Sequence, residues 1–319
     1  MNKNVKIYIA GHRGLAGSAI ARELYRQGYA NVVTRTHTEL DLEDAEATQK
    51  FFEHEQPEIV FLAAAKVGGI HANNIYPVDF LMSNLLIEAN ICRASHVNKV
   101  RRLIFLGSSC IYPRDCQQPI KEEYLLTGPL EATNRPYALA KIAGIEMCWS
   151  YNRQYGTKWL AAMPTNLYGP GDNYDLNNSH VLPALIRKTH EAKMSEASEV
   201  VLWGSGTPRR EFLYVDDLAN ALVFLATLDD KRYNMQVEST QCPLINIGSG
   251  TDLTIRELAE KVAEVVGYTG KFVQDTSKPD GTMRKVMDVS KLNSLGWKAS
   301  TNLKQGIDLT YKLFKEAQP

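Results

Sequence analysis

Apolar runs and amphipathic stretches alternate along the first half of the chain. Residues 5–10 form a short apolar run. Gly11, Gly14 and Gly17 follow, and then helical periodicity from 18 to 28. Residues 30–34 read as a second strand, 45–55 as a helix, and 59–65 as a strand apolar on both faces. A helix at 80–96, a strand at 102–106, a helix at 137–155 and a strand at 159–164 complete the alternation. Strands of this kind, alternating with helices, predict a parallel sheet covered on both sides. The expected class is α/β, with a doubly wound parallel sheet over residues 1–168.

Past residue 168 the pattern changes. Tyr168-Gly-Pro-Gly-Asp172 is turn chemistry. Helices are predicted at 180–193 and 215–228, and strands at 200–203 and 211–214. Thr254-Ile-Arg-Glu257 is a capping box opening a helix that ends at Gly267. These elements predict a smaller α+β lobe from residues 169–211 and 231–319. A segment at about 212–230 returns to the first domain. Residues 231–242 read as the most mobile loop, and no internal repeat is visible.

Composition narrows the function classes. The 319 residues carry 36 Lys and Arg against 36 Asp and Glu, so the net charge is zero. Nothing in that balance predicts a nucleic-acid surface, and any anionic ligand must be held by local groups. No apolar run is long enough to span a bilayer. Residues 5–10 are too short for a secretory h-region and no A-x-A-like site follows, so the expected location is the cytoplasm. The five cysteines lack C-x-x-C spacing, which predicts a reducing compartment with neither disulfides nor a structural metal.

The spacing Gly11-x-x-Gly14-x-x-Gly17, between a strand and a helix, suits a loop that lets a pyrophosphate approach a helix N-terminus. The end of the second strand chooses between nicotinamide cofactors. A carboxylate there would bind the ribose hydroxyls of NAD, but the chain has Thr34-Arg35-Thr36-His37, with no acid until Glu39. Arg35, joined by Arg13, can pair with a 2′-phosphate, which predicts NADPH.

A second constellation lies past two later strands: Gly107-Ser-Ser-Cys-Ile-Tyr-Pro113 and Tyr137-Ala-Leu-Ala-Lys141. Tyr137 and Lys141, four apart on a helix, share one face. With Ser108 upstream they suit proton transfer to a carbonyl oxygen. Cys110 beside them hints at a second proton-transfer task. Cys92, Cys148 and Cys242 read as inert buried residues.

These motifs resemble the extended short-chain dehydrogenase/reductases that act on nucleotide sugars, which have a Rossmann-like fold with a smaller substrate-binding lobe. Further matching stretches are Leu62-Ala-Ala-Ala-Lys-Val-Gly-Gly-Ile70, Met163-Pro-Thr-Asn-Leu-Tyr-Gly-Pro170, Asn178-Ser-His-Val181, Trp203-Gly-Ser-Gly-Thr-Pro-Arg-Arg-Glu-Phe212 and Lys278-Pro-Asp-Gly281. They span nearly the whole chain. His37 departs from the pattern, standing where members often carry a second basic residue.

Within that family, the resemblance implies a two-part reaction on a GDP-linked 4-keto-6-deoxymannose. C3 and C5 are inverted, and then C4 is reduced with NADPH. Ser108 and Tyr137 would stabilise the C4 oxygen, with Tyr137 donating the final proton. Lys141 and the oxidised nicotinamide would draw the tyrosine below its ordinary pKa of about 10. Cys110 would act as base and His180 as acid, a nearby imidazolium lowering the thiol. The implied cofactor contacts are Gly11, His12, Arg13, Gly14, Leu15, Ala16, Gly17, Arg35, Asp41, Leu42, Lys141, Pro164, Asn166, Leu167 and His180. The implied substrate contacts are Lys188, Trp203, Arg210 and Asp280, with Arg210 ranked above Arg209 for the diphosphate. A homodimer through the helices at 80–96 and 137–155 is also implied. Two rivals remain: a C4 reductase without epimerisation, acting on a hexose or heptose, and a non-catalytic NADP-binding protein. Retention of Cys110 and His180 argues against the first, and retention of Tyr137 and Lys141 against the second.

Overall fold

Six parallel strands form the central sheet of the structure, a computed structural model that describes residues 2–316 other than 177, 239, 241 and 279. Pro279 of the Lys278–Gly281 motif therefore lies outside the described residues. The first half runs β1 (Ile7–Ala10), α1 (Leu15–Arg26), β2 (Val32–Thr34), α2 (Ala45–Glu55), β3 (Ile59–Leu62), α3 (Ile70–Ile75), α4 (Pro77–Val97), β4 (Arg102–Leu106), α5 (Arg135–Tyr155) and β5 (Trp159–Pro164). Strand β1 lies between β2 and β3, and β4 and β5 follow β3. The chain thus leaves β1 in one direction and β3 in the other, which puts the topological switch between them. Every residue of β1, β3, β4 and β5 is buried. Helix α1 covers one face, and α2, α4 and α5 cover the other.

Local chemistry explains the helix ends. Asp44 caps α2 by accepting from the amides of Glu46 and Ala47, both at 2.9 Å. Helix α5 has a proline in its first turn, where no amide partner is needed. It stops at Gly156, whose φ of 69° is left-handed.

The second half runs β6 (Asn166–Tyr168), α6 (Val181–Met194), β7 (Glu199–Trp203), β8 (Arg209–Tyr214), α7 (Val215–Thr227), α8 (Asp230–Val237), β9 (Leu244–Ile247), β10 (Asp252–Thr254), α9 (Ile255–Val266), β11 (Lys271–Asp275), β12 (Arg284–Lys285), α10 (Ser290–Ser294) and α11 (Leu303–Glu316). Strands β6, β8, β10 and β12 make a second sheet, and β7 pairs with β11. Helices α6, α9 and α11 pack with β7 and β8 around Leu182, Ile186, Val262 and Ile307. The capping box is present: Thr254 Oγ1 accepts from the Glu257 amide at 3.0 Å, and the Glu257 carboxylate accepts from the Thr254 amide at 2.7 Å.

Three local expectations differ from the structure. The third strand ends at Leu62 rather than at 65. The segment expected to be the most mobile loop is largely the helix α8, with residues 239 and 241 outside the described set. Its charged outer face hides an inner face of Tyr233, Gln236 and Val237. Tyr233 is fully buried, donates to the Lys158 carbonyl at 2.9 Å, and lies 4.0 Å from the Arg102 guanidinium. Finally, β9 hydrogen-bonds β5 in the central sheet, although the sequence division put 231–319 in the lobe. Leu292 and Trp297 join the same central core. A four-residue strand paired with one some eighty positions earlier leaves no local pattern to read. Among the described residues, no helix is long and apolar enough to cross a membrane.

Candidate active site

The loop after β1 turns back against the segment after β3. Gly11 holds φ at 86°, and a Cβ there would meet the Ala64 amide nitrogen at 2.6 Å. A Cβ on Gly17 would overlap the Gly11 carbonyl. Only glycine lets this turn close so tightly. The turn leaves the N-terminus of α1 at the wall of a cavity of about 530 Å³, a size that suits a cofactor.

Gly11, Gly14, Leu15, Ala16 and Gly17 line this cavity from the loop, and Arg35, Asp41 and Leu42 from the segment after β2. Pro164, Asn166, Leu167 and His180 close the other side, where Ser108, Tyr137 and Lys141 also reach it. His12 and Arg13 are not in the lining. Arg13 is exposed, and His12 buries an Nδ1 without a partner. Arg35 is held rather than loose: its guanidinium meets Glu55 at 2.6 Å and lies 5.3 Å from the centre of the Phe51 ring. The glycine cradle and this anchored cation fit a dinucleotide with a phosphate on its adenosine ribose.

A second cavity of about 630 Å³ adjoins the first, and Ser108, Tyr137, Asn166 and His180 line both. Cys110, Arg210 and Asp280 line only the second. Asp280 accepts from the Ser205 amide at 2.7 Å and its hydroxyl at 2.8 Å, which ties the turn after β7 to the cavity wall. Arg209 is engaged by Asp252 at 3.1 Å and Glu257 at 3.6 Å, whereas Arg210 makes no ion pair among the described residues and lines the cavity. Lys188 and Trp203 stand outside both linings. Lys188 Nζ lies 5.0 Å and Lys278 Nζ 5.5 Å from the centre of the Trp203 ring, which is 61% exposed.

Burial dominates the electrostatics. It pushes the Cys110 thiol up, against the pull of Lys285, a Ser108 hydrogen bond and Lys141. It pushes the Tyr137 phenol well above its ordinary value, and Cys110 and Glu88 add to that. His180 is open to the cavity but crowded by protein elsewhere, and that desolvation lowers its pKa toward the neutral imidazole. These directions differ from the expected imidazolium and the expected acidic tyrosine. The reason is desolvation, the one cause acting on His180 and the largest at Tyr137; Lys141, whose ammonium pairs with Glu88 at 3.2 Å, stands 5.9 Å from the centre of the Tyr137 ring.

Two residues escaped the sequence reading. Lys285 of β12 lies opposite Arg210 of β8 and lines the second cavity with Cys110. Its nearness to the thiol depends on a strand pairing that no local spacing announces. Glu88 sits on α4, and the only hint of it is an acid in an otherwise apolar stretch.

The profile of the NAD dependent epimerase/dehydratase family matches residues 7–236. A GDP-L-fucose synthase from Escherichia coli is 54% identical over 315 residues, covering 98% of this chain and 97% of the relative. A GDP-6-OMe-4-keto-L-xylo-heptose reductase from Campylobacter jejuni superposes with a TM-score of 0.94 at 41% identity, covering 100% of this chain and 99% of that one. A GDP-D-glycero-L-gluco-heptose synthase from the same organism, solved in the presence of NADPH, gives 0.92 at 40% identity, with 99% of each chain covered. The glycine cradle, the Ser108–Tyr137–Lys141 group and the family match over most of the chain agree, and the chain belongs to the NAD dependent epimerase/dehydratase family.

Proposed function

We propose that this protein converts GDP-4-keto-6-deoxy-D-mannose to GDP-L-fucose by inverting C3 and C5 and then reducing C4 with NADPH. The observation that carries the reading is the sharing of Ser108, Tyr137, Asn166 and His180 between two adjoining cavities. A ketone at those shared residues would face the glycine cradle on one side and Cys110 on the other. The identity to a relative named GDP-L-fucose synthase supports the substrate, and the neighbour solved with NADPH supports the cofactor.

The bound cofactor supplies a hydride for C4. Gly11, Gly14, Leu15, Ala16 and Gly17 would cradle its diphosphate, with His12 and Arg13 in the same loop. Arg35 would take the 2′-phosphate, while Asp41, Leu42, Pro164, Asn166 and Leu167 complete the walls. On this reading residues 1–168 would hold most of the cofactor, with His180 reaching it from the lobe, and the lobe would hold GDP through Lys188, Trp203, Arg210 and Asp280. Arg35→Ser is expected to weaken NADPH binding by about 10–100-fold and to leave NADH nearly unchanged. That is the loss of one charge-assisted contact. Fluorescence titration with both cofactors checks it, and equal losses for the two would refute the assignment.

The substrate ketone makes C3–H and C5–H acidic, because the resulting carbanion spreads onto the C4 oxygen. Ser108 and Tyr137 hydrogen-bond that oxygen and stabilise the developing charge. Cys110 removes a proton from one face and His180 delivers one to the other. Lys285 and Lys141 offset the burial that resists thiolate formation. His180 must bind a proton before giving one, so its acid form grows as pH falls. Tyr137 then protonates the C4 oxygen during reduction.

We take the protein to be a cytoplasmic homodimer. In support, α4 and α5 pack together and keep Met82, Leu86, Leu139 and Tyr155 exposed. A second reading, C4 reduction without epimerisation, is favoured by the likeness to the Campylobacter jejuni reductase. Turnover in deuterated water with NMR of the product separates the two. Deuterium at both C3 and C5 supports the epimerase/reductase, and its absence leaves a plain ketoreductase.

A further inference from the structure

Helix α4 buries one carboxylate against α5. Glu88 is 1% exposed, and its Oε1 lies 3.2 Å from Nζ of Lys141, whose side chain is equally sealed. Among the described residues, Lys141 is the ion-pair partner of this carboxylate. Gly144, three residues beyond Lys141 on α5, makes the room. A Cβ there would meet Glu88 Oε2 at 2.8 Å and overlap the Phe105 ring. Lys141 Nζ in turn stands 4.8 Å from the centre of the Phe105 ring and 5.9 Å from that of Tyr137. Glu88, Lys141 and Tyr137 thus connect the α4–α5 interior to the wall of both cavities.

A buried ion pair is rarely the cheapest way to join two helices, because apolar side chains of similar volume pack there as well or better. The nearness of this pair to Tyr137 calls for another reason. We propose, on the functional reading above, that Glu88 is a positioning residue: its carboxylate holds the Lys141 ammonium beside Tyr137 and offsets that ammonium's pull on the phenolic proton. The tyrosine then keeps its proton until the alkoxide at C4 demands it.

The titratable groups around Glu88 are Lys141, Tyr137 and Cys148 from α5, and Cys92 one turn along its own helix. Strand β4 presents the uncharged Phe105 ring. Burial pushes the Glu88 carboxyl up to about 7, and Lys141 pulls it down. Above that pH the carboxylate is charged, and its charge raises the Tyr137 phenol. Removing the charge therefore makes Tyr137 lose its proton at lower pH.

The test is the pH profile of kcat for C4 reduction by the NADPH-loaded enzyme, in wild type, Glu88→Gln and Glu88→Asp. Tyr137 acts as an acid only while protonated, so kcat falls on the alkaline side. Gln keeps the shape and offers Nζ an oxygen, but carries no charge. The alkaline limb of Glu88→Gln is expected to move to lower pH by on the order of one unit, with KM for the GDP-sugar unchanged. Glu88→Asp keeps the charge and is expected to keep the wild-type limb. A Glu88→Gln limb that superposes on wild type overturns the inference alone and leaves Glu88 a packing residue. A wild type that does not turn over the GDP-4-keto sugar overturns the functional reading, and the inference with it. Carboxyl-labelled glutamate NMR covers a Glu88→Gln that fails to fold. One glutamate titrating near 7 is expected to move up in Lys141→Met, and no movement would overturn the pairing.

Discussion

Replacing Tyr137 with Phe is expected to lower kcat for C4 reduction by about 10²–10⁴-fold, the usual range for loss of a positioned proton donor. The substitution removes one oxygen and leaves the ring, which meets Phe80 edge-on at 6.4 Å between centroids. Packing should survive, and with it NADPH binding. The effect is large because the buried phenol holds its proton tightly until negative charge develops on the substrate oxygen. At that moment it is a proton donor in the shared wall of the two cavities. Deuterium exchange at C3 and C5 is expected to fall by a smaller factor, since Ser108 still stabilises the C4 oxygen. Steady-state NADPH oxidation and product NMR measure the two losses separately. A variant within tenfold of wild type would assign the proton to another group.

The second large effect is at Cys110. Cys110→Ser is expected to suppress deuterium wash-in at both C3 and C5 by about 10³-fold or more, because a serine hydroxyl is a far weaker acid than a thiol and yields almost no anion. Reduction at C4 continues, so the product is a 4-hydroxy sugar without inversion. The wild-type wash-in rate should depend on pH with a definite sign. The thiolate is the working form, and burial moves the thiol up from its ordinary value. Exchange is thus expected to climb with pH through neutrality, without levelling off below the ordinary thiol pKa of about 8.5. Loss of wash-in at only one carbon would show that Cys110 serves a single epimerisation. Retention at both would remove it from the mechanism.

Much of this protein could be read before its structure. Periodicity gave the strands at the centre of the sheet, because buried parallel strands are short continuous apolar runs bounded by glycine and polar turns. Gly11 and Gly17 announced the cradle through spacing alone, since only glycine tolerates the contacts they make with Ala64 and with each other. Ser108, Tyr137 and Lys141 were legible because chemistry of this kind needs fixed offsets on one helix and one strand end. The capping box at Thr254 was legible for the same reason, being a device four residues long.

The remainder depended on long-range packing. Strand β9 joins β5 across a wide gap in sequence, and four residues cannot carry that information locally. Helix α8 read as a mobile loop because its charges face solvent and its one anchoring ring, Tyr233, takes its environment from Arg102 on a distant strand. Protonation was the least visible property. The motif said that a thiol, an imidazole and a phenol would gather, and it predicted that neighbouring cations would make the thiol and phenol more acidic. In the folded chain burial outweighs those cations: it raises the thiol against the pull of Lys285 and Lys141, and it raises the phenol, to which the Glu88 charge adds. Sequence by itself determined which chemical groups this protein has to work with. The tertiary structure decided their charge, because charge depends on what the folded chain packs around each one.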